Sequence, residues 1–273
     1  MTGRPPHRAV RVVHVMGLPV SIHVLVERID SHLDALIDGV ADACAQRLHD
    51  VDRVFSAYRH DSDVSRIRRG ELAIADADPR VAEVAEACER ARVLTAGRFS
   101  AYWDGMFDPT GYVKGWAVEN TARVLLAPLV AQDAVVAAGI NAGGDMQLFT
   151  APGRAWTWNV GIEDPVRPDR LVATVELRDG AVATSGSSHR GAHIREPRAG
   201  REDAGVLSAS VVADSLTTAD VWATALVVDA PPGEHPGRSG LVVAADGTVR
   251  RWAAGAQISG HAGLPEAPPA PTR

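Results

Sequence analysis

Residues 10–26 read VRVVHVMGLPVSIHVLV, and this stretch determines how the fold begins. Apolar and polar residues alternate on both sides of the MGLP segment at residues 16–19. Alternation with a period of two is typical of strands that bury one face, and the glycine and proline between them favour a turn. The stretch therefore predicts a β-hairpin made of residues 10–15 and 20–26.

Helical periodicity follows the hairpin. Apolar residues recur on one stripe over residues 31–55, with Ser31 as the expected N-cap. A second helix is expected from Pro79, a residue that suits a first helical turn, until glycine ends it at residue 97. Further helices are predicted at residues 116–126 and, in short form, at residues 128–138. The first two carry enough apolar residues to be core helices.

The second half of the chain has mostly extended patterns. Short apolar or alternating segments bounded by turn residues predict strands at residues 140–149, 156–162, 171–177, 181–184, 206–212, 241–245 and 249–252. One helix is predicted among them, at residues 218–228. Because helices and strands are mixed without a steady βαβ rhythm, the expected fold class is α+β rather than doubly wound α/β.

The composition restricts the class of protein. The 273 residues are 46% hydrophobic, which is enough to bury a substantial interior. The net charge of −6 predicts no nucleic-acid partner. No apolar run approaches about 18 residues and the N-terminus has no signal-peptide core, so neither membrane insertion nor export is expected. With Cys44 and Cys88 as the only cysteines, a disulfide framework is excluded and a cytoplasmic location is expected. The Pro-rich residues 263–273 are expected to be a disordered tail.

Two segments carry groups that suit a phosphate or metal site. DPTGYVKGW at residues 108–116 combines a carboxylate, a turn and a lysine just before a predicted helix, although a turn capped by Asp108 explains it equally well. ADVWATAL at residues 219–226 places Asp220 and Thr224 at i and i+4 on one helix face, where Mg²⁺ could bind both oxygens. A capping box in which Asp220 binds backbone N–H groups is the competing interpretation.

Two further segments are polar and contain glycine. NAGGDM at residues 141–146 opens a predicted strand and allows a ligand to approach closely, but taken alone it is better explained by a bulge or a tight turn. His189 and His193 are near each other in sequence, but Gly191 between them disfavours the helix that would bring both onto zinc. One of the two remains a candidate base in the loop predicted at residues 185–200, and a plain solvent-exposed loop is the alternative.

Taken in order, these motifs and several others resemble the ApbE family of flavin transferases. The resemblance spans nearly the whole chain and includes MGLP at 16–19, FSAYRHDS at 55–62, TAGRF at 95–99, DPTGYVKG at 108–115, NAGGD at 141–145, ATSG at 183–186, HI at 193–194 and ADVWATAL at 219–226. No single motif is decisive, whereas the ordered series is specific. It implies an α+β, T-fold-like architecture of mixed sheets with packed helices, in one bilobed domain at residues 1–262.

The resemblance also implies a set of ligands. Mg²⁺ would be held by the Asp220 carboxylate, the Thr224 hydroxyl and the Gly111 backbone carbonyl. The residues at family positions that contact FAD are Met16, Tyr58, Arg98, Phe99, Asp108, Lys114 and Ile194. His193 matches the family's candidate catalytic base, which would take the proton of an acceptor hydroxyl.

The activity implied by the resemblance is that of a Mg²⁺-dependent FAD:protein FMN transferase. Such an enzyme joins FMN to a Ser or Thr hydroxyl of an acceptor flavoprotein and releases AMP. Two alternatives stay open. An FAD pyrophosphatase would use the same site with water as the acceptor, and a non-catalytic flavin-binding protein would bind FAD without turnover.

Overall fold

The computed structural model describes residues 5–186, 205–230, 239–254 and 257–260. Three predictions fall outside these residues: the candidate base His193, its neighbour Ile194, and the tail at residues 263–273.

The N-terminal hairpin forms as predicted. Strands β1 (His7–Val15) and β2 (Leu18–Val26) pair antiparallel around a turn at Met16 and Gly17. Both turn residues have positive φ, 56° and 73°, a conformation that glycine adopts freely and other residues adopt uncommonly. The tip of the hairpin therefore holds Met16 in an unusual backbone conformation.

Three helices also occur where periodicity predicted them. They are α1 (Ser31–Phe55), α3 (Pro79–Leu94) and α5 (Leu216–Val228), with α2 (Asp63–Arg68) and α4 (Thr110–Leu125) between them. The N-cap of α1 is Asp30, whose carboxylate accepts from the N–H of Leu33, so the capping role predicted for Ser31 is wrong by one position. Cys44 and Cys88 are free and buried in α1 and α3. Among the described residues, no helix combines the length and the apolar composition that crossing a bilayer requires.

Helix α4 begins well before residue 116, where the sequence predicted its start. The carbonyl of Pro109 accepts from the N–H groups of Tyr112 and Val113, which closes the first turn. Glycine weakens a helical pattern, and two glycines in this segment concealed it. As a consequence, Gly111 and Lys114 lie inside the helix rather than in front of it.

Two predictions around residue 135 are wrong. Instead of a helix at residues 128–138, only Leu129–Ala131 form a short 3₁₀ turn, which is followed by strand β3 (Val135–Ala142). An apolar run that is buried on both faces does not distinguish a strand from a helix by periodicity. The single strand expected at residues 140–149 is also wrong, because a turn at Gly143 and Gly144 separates β3 from β4 (Asp145–Thr150).

The remaining strands complete two antiparallel sheets. They are β5 (Trp158–Glu163), β6 (Leu171–Leu177), β7 (Gly180–Gly186), β8 (Val206–Ala213), β9 (Ser239–Ala244), β10 (Val249–Trp252) and β11 (Gln257–Gly260). Within the described ranges, one sheet has eight strands in the order β1-β2-β3-β4-β7-β8-β9-β10, and the other has three in the order β11-β6-β5.

The eight-stranded sheet lies between a layer of helices and the three-stranded sheet. Alternate residues of β7 show the division, because Ala181 and Ala183 pack in the cluster with the helices, whereas Val182 packs in the cluster with Trp158 and Val175. Helix α5 packs on β7 and β8 and contacts α4. The predicted α+β class, with sheets packed against helices, is confirmed, and every strand pair that the structure describes is antiparallel.

Candidate active site

One cavity collects the predicted site residues. It has a volume of about 1330 Å³ and is lined by the tip of the first hairpin, the ends of α1 and β7, the start of α4 and part of α5. Nine predicted residues line it: Met16, Tyr58, Arg98, Phe99, Asp108, Gly111, Lys114, Asp220 and Thr224. The fold therefore brings residues from both halves of the chain to one place. His193 and Ile194 lie outside the described residues and cannot be assigned to this wall.

The turn before α4 is organised by Asp108. Its Oδ1 accepts from the N–H and the hydroxyl of Thr110, at 3.1 and 2.7 Å, and its Oδ2 lies 3.6 Å from Nη1 of Arg68. Asp108 thus has the turn-stabilising role that the sequence left open, and it lines the cavity as well. These bonds hold the first turn of α4, which contains Gly111.

Asp220 is not a helix cap. The N-cap of α5 is Ser215, whose hydroxyl accepts from the N–H of Thr218 at 3.2 Å. Asp220 lies further along the helix, is 2% exposed, and accepts from the N–H of Gly115 in α4 through Oδ2 at 3.1 Å. The capping interpretation is therefore wrong, and Asp220 joins α5 to α4.

A buried lysine lies between two buried carboxylates. Nζ of Lys114 forms an ion pair with Oδ2 of Asp145 and lies 3.4 Å from Oδ1 of Asp220. Oδ1 of Asp145 accepts from the backbone N–H of Thr184 at 3.1 Å. Because buried charges are costly unless they are paired, these three side chains act as one electrostatic unit.

Sequence reasoning missed Asp145 as a site residue. It is the single carboxylate of the NAGGD motif, for which a tight turn is an adequate explanation. The available signal was a carboxylate placed directly after a double-glycine turn, at the start of a strand with apolar residues on the strands beside it. A carboxylate in such a position needs a partner, and Lys114 is that partner.

The donors expected for Mg²⁺ lie on the two helices that meet here. Asp220 and Thr224 are one turn apart on α5, Gly111 lies in the first turn of α4, and all three line the cavity. In an α-helix the N–H of residue 115 donates to the carbonyl of residue 111. Here the Gly115 N–H also donates to Asp220. A carbonyl oxygen has two lone pairs, so one such bond does not exhaust its capacity. The Gly111 carbonyl therefore retains capacity to accept a further ligand.

The chemistry of these donors fits Mg²⁺. A carboxylate, a hydroxyl and a carbonyl are hard oxygen donors of the kind that this ion prefers. The Thr224 hydroxyl is 3.2 Å from the hydroxyl of Ser185, so its orientation is supported by the end of β7. In the part of the chain that the structure describes, no group of three or more His, Cys, Asp or Glu side chains is arranged for a metal. A site here would therefore depend on neutral oxygens in addition to Asp220.

Glu119 in α4 holds the start of α5 in place. Its Oε2 accepts from the hydroxyl of Ser215 at 2.6 Å and from the N–H and hydroxyl of Thr217 at 2.9 and 2.7 Å, while Oε1 accepts from Arg123. Burial acts to raise the pKa of Glu119, but these hydrogen bonds outweigh it and keep the pKa below its ordinary value. Sequence reasoning missed this residue because its partner Ser215 is 96 positions away.

The residues predicted to contact FAD differ in what they present to the cavity. Tyr58 is 90% exposed, so its ring is available for stacking on a planar group. Phe99 is buried, and its Cε2 lies 3.4 Å from the position that a Cβ at Gly111 would occupy, so it supports the first turn of α4. Nε of Arg98 donates to the carbonyl of Thr95 at 2.9 Å, which fixes the guanidinium end of that side chain at the cavity wall.

Ser208 contributes a polar group that the sequence did not single out. Its hydroxyl is buried in the cavity wall and has no hydrogen-bond partner among the described residues. It lies on β8 opposite Gly186 of β7, at the end of the strand pair. Since a buried hydroxyl without a partner costs stability, Ser208 is a candidate contact for a polar atom of a ligand.

Comparisons with known proteins agree with the family resemblance. The ApbE family model matches residues 16–106 and 104–234. The FAD:protein FMN transferase of Rhodobacter capsulatus is 37% identical over 130 residues, which are 44% of this chain and 24% of that protein. The protein of the same name from Escherichia coli strain K12 is 28% identical over 142 residues, or 48% of this chain and 39% of that protein. These alignments cover less than half of either relative.

A solved structure shares the fold. The ApbE protein of Thermotoga maritima is similar over 90% of this chain and 97% of its own, with a TM-score of 0.72 and 21% sequence identity. At this identity the similarity shows the architecture alone.

Proposed function

This chain belongs to the ApbE family, and we propose that it transfers FMN from FAD to a Ser or Thr hydroxyl of an acceptor flavoprotein in a Mg²⁺-dependent reaction that releases AMP. The observation that carries the proposal is the meeting of Lys114, Asp220 and Gly111 at the contact between α4 and α5, in the wall of one large cavity. A cation and a set of hard oxygen donors side by side suit a metal-bound diphosphate. The names of the curated relatives support the same reaction.

Each residue of this group has a role that follows from its position. Asp220, Thr224 and Gly111 would hold Mg²⁺. When bound, Mg²⁺ supplies electrostatic stabilisation for charge that develops on the phosphoryl oxygens. The Lys114 ammonium lies beside Asp220 and would neutralise oxygens of the same diphosphate. The buried surroundings strengthen these interactions because they exclude water.

The proton and the leaving group complete the proposed reaction. The acceptor hydroxyl oxygen forms a bond to the FMN phosphorus while the bond from that phosphorus to the bridging oxygen breaks, and AMP leaves with the electron pair. The hydroxyl proton goes to His193, the base that the family resemblance predicts. If water were the acceptor, the same steps would give FMN and AMP without a covalent protein product.

Three further parts of the proposal concern the chain as a whole. We propose that residues 1–262 form one domain, that residues 263–273 are a tail outside it, and that the protein works in the cytoplasm. Its two cysteines, both free and buried, are compatible with a reducing compartment.

The proposed function is tested by incubating the protein with FAD, Mg²⁺ and a candidate acceptor flavoprotein fragment, followed by mass analysis of the products. A covalent FMN adduct that disappears when the acceptor Ser or Thr is replaced by Ala supports transfer. Release of FMN and AMP without an adduct would indicate hydrolysis instead, and FAD recovered unchanged would contradict both. His193→Ala should abolish the adduct, whereas His189→Ala, a matched control in the same segment, should retain it.

A further inference from the structure

Asp145 is a buried carboxylate that the proposed reaction does not yet use. It is 0% exposed, lines no part of the cavity itself, and directs Oδ2 to the Lys114 ammonium. Its partner Lys114 does line the cavity and also lies near Asp220. Asp145 is therefore placed to act on the site through another residue.

The two members of this ion pair differ in their freedom to move. Asp145 is held by the strand pairing of its backbone with Ala142 and by the N–H of Thr184, which donates to Oδ1. Lys114 has a flexible four-carbon stem that ends in a compact charge. When the charges around them change, the ammonium is the group that moves and Asp145 is the fixed point.

The ammonium has a choice between two carboxylates. It forms ion pairs with both, closely with Asp145 and less closely with Asp220, whose Oδ1 lies 3.4 Å from Nζ and within reach of a shorter contact. Asp220 is also the only side-chain carboxylate among the proposed Mg²⁺ donors. An ammonium that closed on Asp220 would repel the cation and occupy the oxygen that the cation requires.

We propose that Asp145 is a positioning residue that keeps the Lys114 ammonium from closing further on Asp220, so that Asp220 can bind Mg²⁺ while the ammonium stays beside the diphosphate. This inference rests on the proposed function and names a residue that regulates the same site. Without the charge at position 145, Lys114 and Asp220 form a neutral pair. Mg²⁺ must then separate that pair before it can bind.

The experiment uses Asp145→Asn, which keeps an oxygen for the Thr184 N–H and replaces the charged oxygen that faces Lys114 with a neutral amide group. Mg²⁺ is titrated calorimetrically into the full-length protein, alone and with ADP, which carries a diphosphate but no flavin to transfer. We expect Asp145→Asn to weaken Mg²⁺ binding roughly 10-fold or more. We expect the same substitution in a Lys114→Gln background to change Mg²⁺ binding little, because the competing ammonium is absent.

The outcomes separate this inference from its alternatives. An equal loss of affinity in both backgrounds would mean that Asp145 acts on the metal directly, and unchanged affinity with lower thermal stability would mean that it is only structural; either result overturns the inference. If Asp145→Asn does not fold, Lys114→Gln is compared with the double variant, in which both charges of the pair are removed. A loss of Mg²⁺ affinity in the double variant relative to Lys114→Gln would still overturn the inference. A wild-type protein that binds no Mg²⁺ even with ADP would instead contradict the proposed function.

Discussion

The contact between α4 and α5 can be tested with Gly115→Ala, which adds one methyl group at the point where Gly115 faces Asp220. A Cβ at position 115 would lie 2.9 Å from Cβ of Asp220, and 3.1 Å from both Oδ2 of Asp220 and the carbonyl oxygen of Leu216. Non-bonded carbons prefer about 3.5–4.0 Å, so Gly115→Ala must separate the helices locally by roughly 0.6 Å. The substitution therefore displaces the proposed metal ligand without altering any charge.

Two opposing effects determine the expected stability of Gly115→Ala. In a helix interior Ala is favoured over Gly by about 1 kcal/mol. Overpacking of a close contact costs about 1–3 kcal/mol. The free energy of unfolding should therefore fall by roughly 0–2 kcal/mol, as the difference between these effects. Gly39→Ala in α1 is the matched control, because nothing lies within 4 Å of the position that its Cβ would occupy and only the favourable effect applies.

Activity should be affected more than stability. Displacement of Asp220 relative to Gly111 misplaces two proposed donors to one cation, and a misplacement on the ångström scale can cost up to roughly 10²-fold in rate. Urea unfolding gives the free energies, and the rate of FMN adduct formation gives the activity. If Gly115→Ala were as stable as Gly39→Ala and fully active, the close helix contact would not position the site, and the reasoning would be refuted.

Three further predictions address single side chains. Asp220→Ala should lose adduct formation more completely than Thr224→Ala, since it removes the charged donor; initial rates over a range of Mg²⁺ concentrations check this, and equal rates for both variants would contradict it. The depressed pKa of Glu119 means that its carboxylate stabilises the fold at neutral pH and that this contribution is lost as the pH falls below its ordinary value of 4.5. The stability difference between wild type and Glu119→Gln, measured by urea unfolding, should therefore shrink from pH 7 to about pH 4. A constant difference would argue that the Glu119 carboxylate does not stabilise the start of α5. Ser208→Ala should leave the free protein as stable or about 1 kcal/mol more stable, since it removes a buried hydroxyl that has no partner among the residues the structure describes. Calorimetry should show weaker FAD binding, and a clear loss of stability would reveal a partner for this hydroxyl.

The elements that the sequence predicted correctly are those whose pattern lies within their own residues. The alternation in residues 10–26 and the apolar stripe of residues 31–55 each define their own elements, and β1, β2 and α1 follow them closely. The errors occur where one local pattern suits two structures. The apolar run of β3 fits a helix as well as a strand, and pairing with β2 and β4 decides between them. Gly115 conceals the start of α4, although it is the residue that lets α4 approach α5.

For the site, sequence predicted which residues share the cavity but not how they are paired. The motifs identified Asp220, Thr224 and Lys114 as candidate site residues, and all three line the same cavity. Asp145 and Glu119 were missed because their roles depend on partners supplied by distant elements. Nothing in NAGGD shows that a lysine lies beside its carboxylate. A residue type shows that a charge is present, whereas only the fold shows which opposite charge it pairs with.

That pairing supports the proposal that the site binds a cation and a diphosphate together. With Lys114, Asp145 and Asp220 all ionised, the buried group carries one net negative charge. In the proposed complex, Mg²⁺ adds two positive charges and the diphosphate of FAD adds two negative ones, so the site keeps the net charge that it has in the free protein. The diphosphate by itself would add its negative charges to a buried site that is already negative, which is costly. It should therefore bind more tightly when Mg²⁺ is present, and by thermodynamic linkage the diphosphate must enhance Mg²⁺ binding by the same factor.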